Sequence, residues 1–518
     1  MKKHKPQSPH RRARHTVTTP ISGAAREPEQ IELHGGLQAA AAPLVIWTGP
    51  VFDPSGYASA LRRSVQALDA VGVRTHLEEL RWSQLDARVS TDQRAFLQRL
   101  MNTPKQPGEP YLRVWQVFPT MFKPDPQALA VIGRPYFETD RLPPDWAQAC
   151  NQMDLIWVAS DFNVETFARS GVAQEKLRAL PDCIDARRFG PQVQPAPART
   201  DRSFNFLSIF EWIPRKGWDV LIRAWAREFK PDEDVALCLH VYSTMGKDSQ
   251  SIAADIKNLV QACVGERPIA PIAISTGVLE DDQLPALYRM AQAYVQPSRG
   301  EGWGHPLMEA MSSGLPTIGT RWSANLAFMN DRNSYLIDCR LVDVPRELLR
   351  DQPYYEGHRW AEPSVEHVRA LMREVFEKRS ESAARGAYAA QDIARRFNPL
   401  DVGRKYEEAC REAAELGRHK VFLAAGVTPS LSPQHSVLST RHSVLSTQSS
   451  ALGPIPVVWE GGFFETHSLA LVNRELTRAL LRTGEVELSL RLLRLEPERF
   501  DPRADPELEP LLNRLDRP

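Results

Sequence analysis

Residues 293–320 read AYVQPSRGEGWGHPLMEAMSSGLPTIGT, and this stretch indicates the fold. The apolar run Ala293–Val295 predicts a short buried strand of a parallel sheet. The proline and glycines that follow exclude regular structure, so a tight loop comes next. Pro306 suits the start of a helix because its missing N–H costs nothing there, and Gly314 ends that helix. The stretch therefore predicts a strand, a glycine loop, a helix and the beginning of another strand.

This arrangement predicts an anion site. A helix N-terminus presents free N–H groups and about half a positive charge, and glycines let backbone amides approach a phosphate closely. Glu301 lies in the loop and Glu309 in the first turns of the helix. Because carboxylates repel phosphate, we expect both side chains to face hydroxyl groups instead. A ligand with phosphates and hydroxyl-rich rings, such as a nucleotide-sugar, fits this pattern.

Glu301 and Glu309 form an E-x7-E pair inside PSRGEGWGHPLMEAMSSGLP. This string resembles the retaining glycosyltransferases of family 4, which have the GT-B fold. The resemblance implies an α/β chain with two Rossmann-like domains that face each other across a cleft, the donor on the second domain and the acceptor on the first. A glycine-rich surface loop before an amphipathic helix is the simpler alternative. A dinucleotide fingerprint is disfavoured because the acidic residues lie inside the motif.

The resemblance also assigns site residues. Lysine and arginine side chains clamp the donor diphosphate, one acid holds ribose hydroxyls, and the other holds the transferred sugar near its anomeric carbon. The implied catalytic residues are Glu301, Lys216 and Arg215, and the implied donor-binding residues are Glu309, Gly302, Trp303, Gly304, His305, Pro306, Gly56 and Gly49. Gly56 is the first candidate in its loop and Gly49 the second, and the alternative is that both are only turn glycines.

One position departs from the family pattern. The family's arginine stands five residues before the lysine, where this chain has Glu211, so Arg215 is the candidate for the second cation. Two basic residues just before a helix are electrostatically unfavourable there, which favours a functional reason for them over a merely basic turn.

Glu138 and Asp140 are the acceptor-side candidates, in the segment Tyr136–Asp140 of the first domain. Many family members carry a histidine in this half of the cleft, and Trp115–Pro119 has none. The two acids are predicted to contact an acceptor hydroxyl, and the alternative is that they are ordinary surface charges.

Composition narrows the class of protein. Among the 518 residues, Lys+Arg and Asp+Glu are both 64, so net charge gives no reason to expect a nucleic-acid partner. No apolar run reaches the roughly 18 residues that span a bilayer. The six cysteines are scattered singly without a C-x-x-C pair, so the sequence predicts no disulfide framework, no zinc site and a reducing cytoplasm.

The domain organisation follows from strand and helix patterns and from Pro-rich or Ser-rich segments. The basic N-terminal segment 1–42 can contact anionic lipid at a membrane periphery, although a solvated tail is the simpler interpretation. The predicted segments are a disordered basic tail at 1–42, an acceptor-side domain at 43–190, a linker at 191–202, a donor-binding domain at 203–400, a closing helix at 401–424 that crosses back, a low-complexity linker at 425–454, and a partial repeat at 455–518.

The partial repeat resembles the opening strand–helix unit of the chain. Trp47, Gly49 and Phe52 have counterparts in Trp459, Gly461 and Phe464 at the same spacing. The segment before it contains HSVLST twice, which is low complexity. One strand and one helix cannot bury a core alone, so we expect this truncated unit to dock elsewhere, pair with another chain or stay loosely ordered.

The expected function is transfer of a sugar, with retention and without a metal, from a UDP- or GDP-sugar to a glycan, lipid-linked or other hydroxyl acceptor. The resemblance implies cell-envelope polysaccharide biosynthesis in the cytoplasm or at its membrane periphery, with no cofactor besides the nucleotide-sugar substrate. The alternatives are another GT-B activity, such as an epimerase or a phosphorylase, and a non-catalytic nucleotide-sugar-binding or scaffold protein with a degenerate GT-B fold. The departure at Glu211 motivates that last alternative.

Overall fold

The structure is a computed structural model that describes residues 43–82, 87–190, 192–244, 246–280, 282–424, 455–461 and 486–492. The basic tail predicted for 1–42 and the low-complexity segment 425–454 therefore lie outside the described residues. The segment 43–424 contains two six-stranded sheets, each the centre of one lobe. This result confirms the α/β class with two Rossmann-like domains.

The first lobe is a wholly parallel sheet in the order β2-β1-β3-β4-β5-β6. Its strands Ala130–Gly133 and Leu155–Val158 are apolar from end to end, as expected when helices cover both faces. Its elements are β1 Leu44–Gly49, α1 Gly56–Ala70, β2 Thr75–Glu79, α2 Thr91–Met101, β3 Tyr111–Trp115, β4 Ala130–Gly133, α3 Pro144–Asn151, β5 Leu155–Val158, α4 Asp161–Arg169 and β6 Leu177–Ala179.

The second lobe is also wholly parallel, in the order β12-β11-β10-β7-β8-β9. Its elements are β7 Phe204–Glu211, α5 Trp218–Glu228, β8 Val235–Tyr242, α6 Ser249–Val264, β9 Ile272–Thr276, α7 Gln283–Met290, β10 Ala293–Gln296, α8 His305–Ser312, β11 Thr317–Thr320 and β12 Tyr335–Ile337.

The strand order of the second lobe determines where a ligand can bind. Read from β9, the order is that of a doubly wound sheet, and it reverses direction between β7 and β10. Ligands of such sheets bind in the crevice outside the carboxyl ends of the strands at this switch point. The turn after β7 carries Arg215 and Lys216, and the turn after β10 carries the glycine loop. Both predicted halves of the donor site therefore flank one crevice.

An antiparallel hairpin leaves the second lobe and packs on the first. It consists of β13 Cys339–Asp343, α9 Arg346–Leu349 and β14 Arg359–Pro363. We refer to residues 339–363 as the hairpin arm. Tyr355 and Trp360 of the arm are buried in one apolar cluster with Phe137 and Trp146 of the first lobe. The sequence pattern identified only the last residues of this arm.

Three helices follow the arm, and the last returns to the first lobe. They are α10 Val365–Glu377, α11 Arg379–Arg396 and α12 Pro399–Ala424. A Cβ on Gly403 of α12 would lie 2.2 Å from the carbonyl oxygen of Ala67 in α1, so the two helices touch at backbone distance. The Tyr406 hydroxyl lies 3.0 Å from Ser64 Oγ of α1. None of the helices in the described part is long and apolar enough to cross a membrane.

The C-terminal repeat is described only at β15 Ile455–Gly461 and β16 Val486–Leu492, which pair in parallel. Trp459 pairs with Leu490, as Trp47 of β1 pairs with Leu77 of β2. The similarity to the opening unit thus includes the pairing of its two strands, which the sequence comparison had not reached. The rest of the predicted repeat lies outside the described residues.

Candidate active site

A cavity of about 790 Å³ lies between the two lobes, at the switch point of the second sheet. It is lined by the first-lobe turn before α1, by the turn after β7 and by the loop between β10 and α8. Most predicted site residues share this one lining: Gly56, Glu138, Arg215, Lys216, Glu301, Gly302, Trp303, Gly304, His305, Pro306 and Glu309.

The glycine loop enters α8 as the sequence suggests. Gly304 is the N-cap with φ 98°, a left-handed conformation that favours glycine, and Pro306 stands in the first turn. Gly300 has a different reason to be glycine. A Cβ there would lie 2.5 Å from the Glu138 carbonyl oxygen of the first lobe. The loop is therefore pressed against the opposite lobe, a contact that no sequence pattern indicated.

Glu301 is the most heavily bonded carboxylate of the site. Lys216 Nζ lies 2.8 Å from both of its oxygens, and Gln296 and Ser298 also donate to it. Burial alone would raise the pKa of Glu301, but the nearby charges of Lys216 and Arg215 outweigh burial and lower it. Glu301 is therefore an anion in the free protein. Lys216 is equally positioned to meet a ligand anion entering the cavity.

Arg215 joins the two lobes. Its Nε lies 2.9 Å from Glu138 Oε1, and its Nη1 donates to the Gly300 carbonyl oxygen at 2.8 Å. Glu138 also accepts a hydrogen bond from the hydroxyl of Tyr355 in the hairpin arm. The acceptor-side candidate Glu138 thus lines the cavity but already holds an arginine and a tyrosine. Glu211, at the family's arginine position, accepts a hydrogen bond from Thr244.

Glu309 is held by a residue that the sequence analysis missed. Arg63 of α1 forms an ion pair with it across the cleft, and the Tyr288 hydroxyl donates to its other oxygen at 2.8 Å. The Arg63 and Glu309 side chains are 13% and 6% exposed. The only signal in the sequence was that α1 begins at the loop lining the cleft, which does not distinguish Arg63 from the other polar residues of that helix.

A second missed contact joins Asp182 and His305. Asp182 is fully buried in the first lobe, and its Oδ2 lies 2.8 Å from His305 Nε2 at the start of α8. Arg134 and the Tyr136 hydroxyl donate to the other oxygen at 2.7 Å and 2.6 Å. Burial would raise the pKa of Asp182, but His305 and Arg134 lower it. His305 therefore faces an anion of the opposite lobe as well as the cavity.

Two predicted residues, Asp140 and Gly49, lie outside the cavity lining. Asp140 accepts a hydrogen bond from the backbone N–H of Arg359 at 2.7 Å, so its carboxylate holds the hairpin arm to the first lobe. A Cβ on Gly49 would lie 2.6 Å from Leu61 Cδ1 and 2.8 Å from the Gln116 carbonyl oxygen. Close packing of β1 therefore explains Gly49. Gly56 does line the cavity, with open space at its Cβ position.

The second lobe carries a family signature. Residues 202–350 match the family model described as Glycosyl transferases group 1. Over these residues the chain is similar to the group 1 glycosyltransferases. The matched segment contains the turn after β7 and the loop between β10 and α8, which are the two second-lobe walls of the cavity.

Curated relatives of this chain match it over part of their length. Mannosylfructose-phosphate synthase from Agrobacterium fabrum is 28% identical over 156 residues, which cover 29% of this chain and 34% of the relative. The GDP-mannose-dependent alpha-(1-6)-phosphatidylinositol monomannoside mannosyltransferase from Mycolicibacterium smegmatis is 26% identical over 208 residues, 38% of this chain and 51% of the relative. The chain thus spans about one third to one half of these relatives.

A solved structure confirms the fold of the two lobes. The crystal structure of Anabaena HepE in complex with UDP and glucose aligns with a TM-score of 0.50 and 12% identity, over 71% of this chain and all of the other. The predicted GT-B architecture is therefore confirmed.

Proposed function

We propose that the chain transfers a sugar from a nucleotide-sugar, a UDP- or GDP-sugar, to a hydroxyl of a glycan or lipid-linked acceptor. The observation that carries this proposal is that Lys216, Glu301 and Glu309 meet around the N-terminus of α8 in one cavity. The GDP-mannose dependence in the name of the mycobacterial relative supports GDP as one candidate carrier.

Charge compensation supports the chemical step that we propose. The nucleoside diphosphate gains negative charge as it leaves, and Lys216, Arg215 and the N-terminus of α8 border the space where it would sit. Preorganised positive groups of this kind stabilise a transition state without reorganising and without a required metal. The diphosphate would compete with Glu301 for Lys216, so donor binding would release a carboxylate beside the transferred sugar.

The two glutamates would take different parts of the donor. Glu309 lies one helical turn inside α8 and would accept hydrogen bonds from ribose hydroxyls. Glu301 lies in the loop and would hold the transferred sugar near its anomeric carbon, while the amides of Gly302, Trp303 and Gly304 meet phosphate. The resemblance to family 4 implies retention, and we propose that the acceptor attacks on the same face that the diphosphate leaves.

A non-catalytic nucleotide-sugar-binding protein is the second candidate. Arg215 is committed to Glu138 of the opposite lobe, and Glu211 adds negative charge on the second-lobe side of the same lining. Both features reduce the positive charge available to a leaving diphosphate, and so favour binding without turnover.

The test measures binding and turnover separately. Thermal shift with UDP-glucose, UDP-N-acetylglucosamine and GDP-mannose reports binding to the folded state, and release of free UDP or GDP reports hydrolysis or transfer. We expect Lys216→Ala and Glu309→Ala to weaken donor binding, with Lys378→Ala as the matched control because Lys378 pairs with Glu374 on the exposed surface of α10. Unchanged affinity in both cavity variants would reject the site, and binding without any turnover would favour the second candidate.

A further inference from the structure

Four aromatic side chains form a continuous row on the wall of the cavity. Ring centroids are 4.8 Å apart between Trp82 and Phe118, 5.3 Å between Phe118 and Trp146, and 6.4 Å between Trp146 and Tyr354. The successive interplanar angles are 27°, 34° and 24°, so neighbouring rings are close to parallel. All four line the cavity. We call these four residues the aromatic wall.

The aromatic wall exposes apolar surface to the cavity. Phe118 is 39% exposed and Tyr354 is 38% exposed. Phe118 comes from the turn after β3 in the first lobe, whereas Tyr354 comes from the hairpin arm. Each exposed ring could bury more area against a ligand, and aromatic side chains contribute strongly to binding because they bury much area at low entropic cost. The two lobes therefore jointly build an apolar surface inside the cleft.

Unpaired polar atoms accompany this apolar surface. Trp82 Nε1 and Gln93 Oε1 are buried, have no hydrogen-bond partner within the described ranges, and belong to side chains of the cavity lining. One is a donor and the other is an acceptor. A buried polar group without a partner is destabilising, and a ligand that reaches it can recover this cost. Thr120 and Asp145 add a hydroxyl and a carboxylate to the same lining.

We propose that the aromatic wall is the acceptor subsite and that it takes a saccharide ring. The C–H-bearing face of a sugar packs on an aromatic ring because the ring face carries the negative part of its quadrupole. Sugar hydroxyls both donate and accept, so a saccharide offers partners to Gln93 Oε1 and to Trp82 Nε1–H. A purely apolar chain would cover the rings and leave both polar atoms unpaired. This inference rests on the proposed function, because it supplies the acceptor of that reaction.

Binding of saccharides tests the inference separately from donor binding. The probes are mannobiose, maltotriose and cellotriose at millimolar concentration, in the presence of a saturating concentration of UDP or GDP. Saturation-transfer NMR and tryptophan fluorescence detect their binding. We expect at least one saccharide to bind, with saturation of its ring C–H protons. Phe118→Ala and Tyr354→Ala should each weaken that binding about tenfold, since an aromatic contact contributes about 1.4 kcal/mol at the upper end of its range. Nucleotide affinity should not change.

Tyr388→Ala is the matched control, because Tyr388 is 43% exposed on α11 and lies outside the cavity lining. Melting temperatures of all variants check that each one folds. Nucleotide binding without any saccharide binding would overturn the inference and leave the proposed function standing, as would saccharide affinity unchanged in both wall variants. Binding of decyl phosphate in place of saccharides, lost in the wall variants, would also overturn it. Saccharide binding without nucleotide binding would keep the subsite and reject the proposed donor site.

Discussion

The turn between β1 and α1 and the loop between β10 and α8 line the same cavity, yet the surroundings of their glycines differ. A Cβ on Gly56 in the first would meet nothing within 4 Å, whereas a Cβ on Gly300 in the second would lie 2.5 Å from Glu138 of the other lobe. The first-lobe turn leaves space for a ligand. In the second-lobe loop, the absence of a side chain at Gly300 allows the backbones of the two lobes to approach closely.

The same asymmetry governs the buried charges. Glu309 of α8 forms an ion pair with Arg63 of the first lobe, whereas His305, whose pKa is lowered by burial, forms a hydrogen bond with Asp182 of that lobe. Charges taken out of water are tolerated when they are paired and hydrogen-bonded, and removing one partner is strongly destabilising. The first lobe therefore supplies the polar partners of these two side chains of the second lobe. Equivalent substitutions in the two lobes should then have unequal effects on turnover and stability.

The largest expected difference is in turnover rate, between Glu301→Gln in the second lobe and Glu138→Gln in the first. Glu301 borders the space assigned to the transferred sugar and holds Lys216, so its amide variant should lower turnover by about 100-fold. Glu138 meets Arg215 and Tyr355, and its variant should cost less than tenfold in rate, the size of a modest positioning effect of about 1.4 kcal/mol. Initial rates with the best donor measure both, and equal losses would contradict the asymmetry.

Removing the cross-cleft cation should lower stability more than any surface change. Arg63→Ala leaves the buried carboxylate of Glu309 without its cation, and breaking such a pair costs roughly 3 kcal/mol in free energy of unfolding. Urea denaturation measures the loss.

Two further variants test whether the unpaired charge of Glu309 causes this loss of stability. Arg63→Lys keeps the charge and should recover part of the loss, and adding Glu309→Gln to Arg63→Ala should recover more, since no unpaired charge remains. An Arg63→Ala variant as stable as the unchanged protein would mean that the pair does not hold the lobes together.

The glycine comparison can be tested with one substitution in two places. Gly300→Ala places a methyl group against backbone, which cannot move as a side-chain end can, and should destabilise by about 2 kcal/mol. Gly56→Ala enters open space and should change stability by no more than about 0.5 kcal/mol. Thermal melting of both variants gives the comparison. Similar melting points would show that the lobes do not meet closely at Gly300.

Acid sensitivity is the smallest expected effect at neutral pH. Burial lowers the pKa of His358 to about 4 from an ordinary 6.5. Between pH 6.5 and pH 4, His358 is protonated in the unfolded chain but neutral in the folded chain. Its contribution to the free energy of unfolding is therefore complete above pH 6.5 and is lost as the pH falls toward 4.

His358 lies 2.8 Å from Thr139 Oγ1 of the first lobe, whereas His240 has a similarly lowered pKa inside the second lobe. His358→Gln and His240→Gln should each flatten the fall of the melting temperature between pH 6.5 and pH 4. Unchanged slopes in both variants would show that the two imidazoles are not held neutral.

Local signals explain why much of the fold was predictable from the sequence. The strand Ala293–Gln296, the cap at Gly304 and the proline after it lie within a few residues of one another, so propensity and turn chemistry suffice. The turn with Arg215 and Lys216 was identified by its likeness to a family motif. That both segments line one cavity then follows from a parallel sheet, whose carboxyl ends share one edge.

The contacts that the sequence did not reveal are distant in the chain. Arg63 and Glu309 are separated by 246 positions, and Asp182 and His305 by 123. No periodicity links such pairs, and each partner alone resembles an ordinary polar residue on a helix or turn. Asp140 was identified as an interesting acid, but its partner Arg359 belongs to the hairpin arm, which the sequence pattern barely indicated.

The hairpin arm also constrains how the cleft can open. It is covalently part of the second lobe, yet the Arg359 and Asp140 backbones and the Asp140 carboxylate exchange hydrogen bonds, and Tyr355 and Trp360 pack among first-lobe side chains. Rotation about the connection near residues 191–202 therefore cannot separate the lobes while the arm stays rigid and attached. Entry and departure of a bulky substrate must either detach these contacts or bend the strands β13 and β14 where they leave the second lobe.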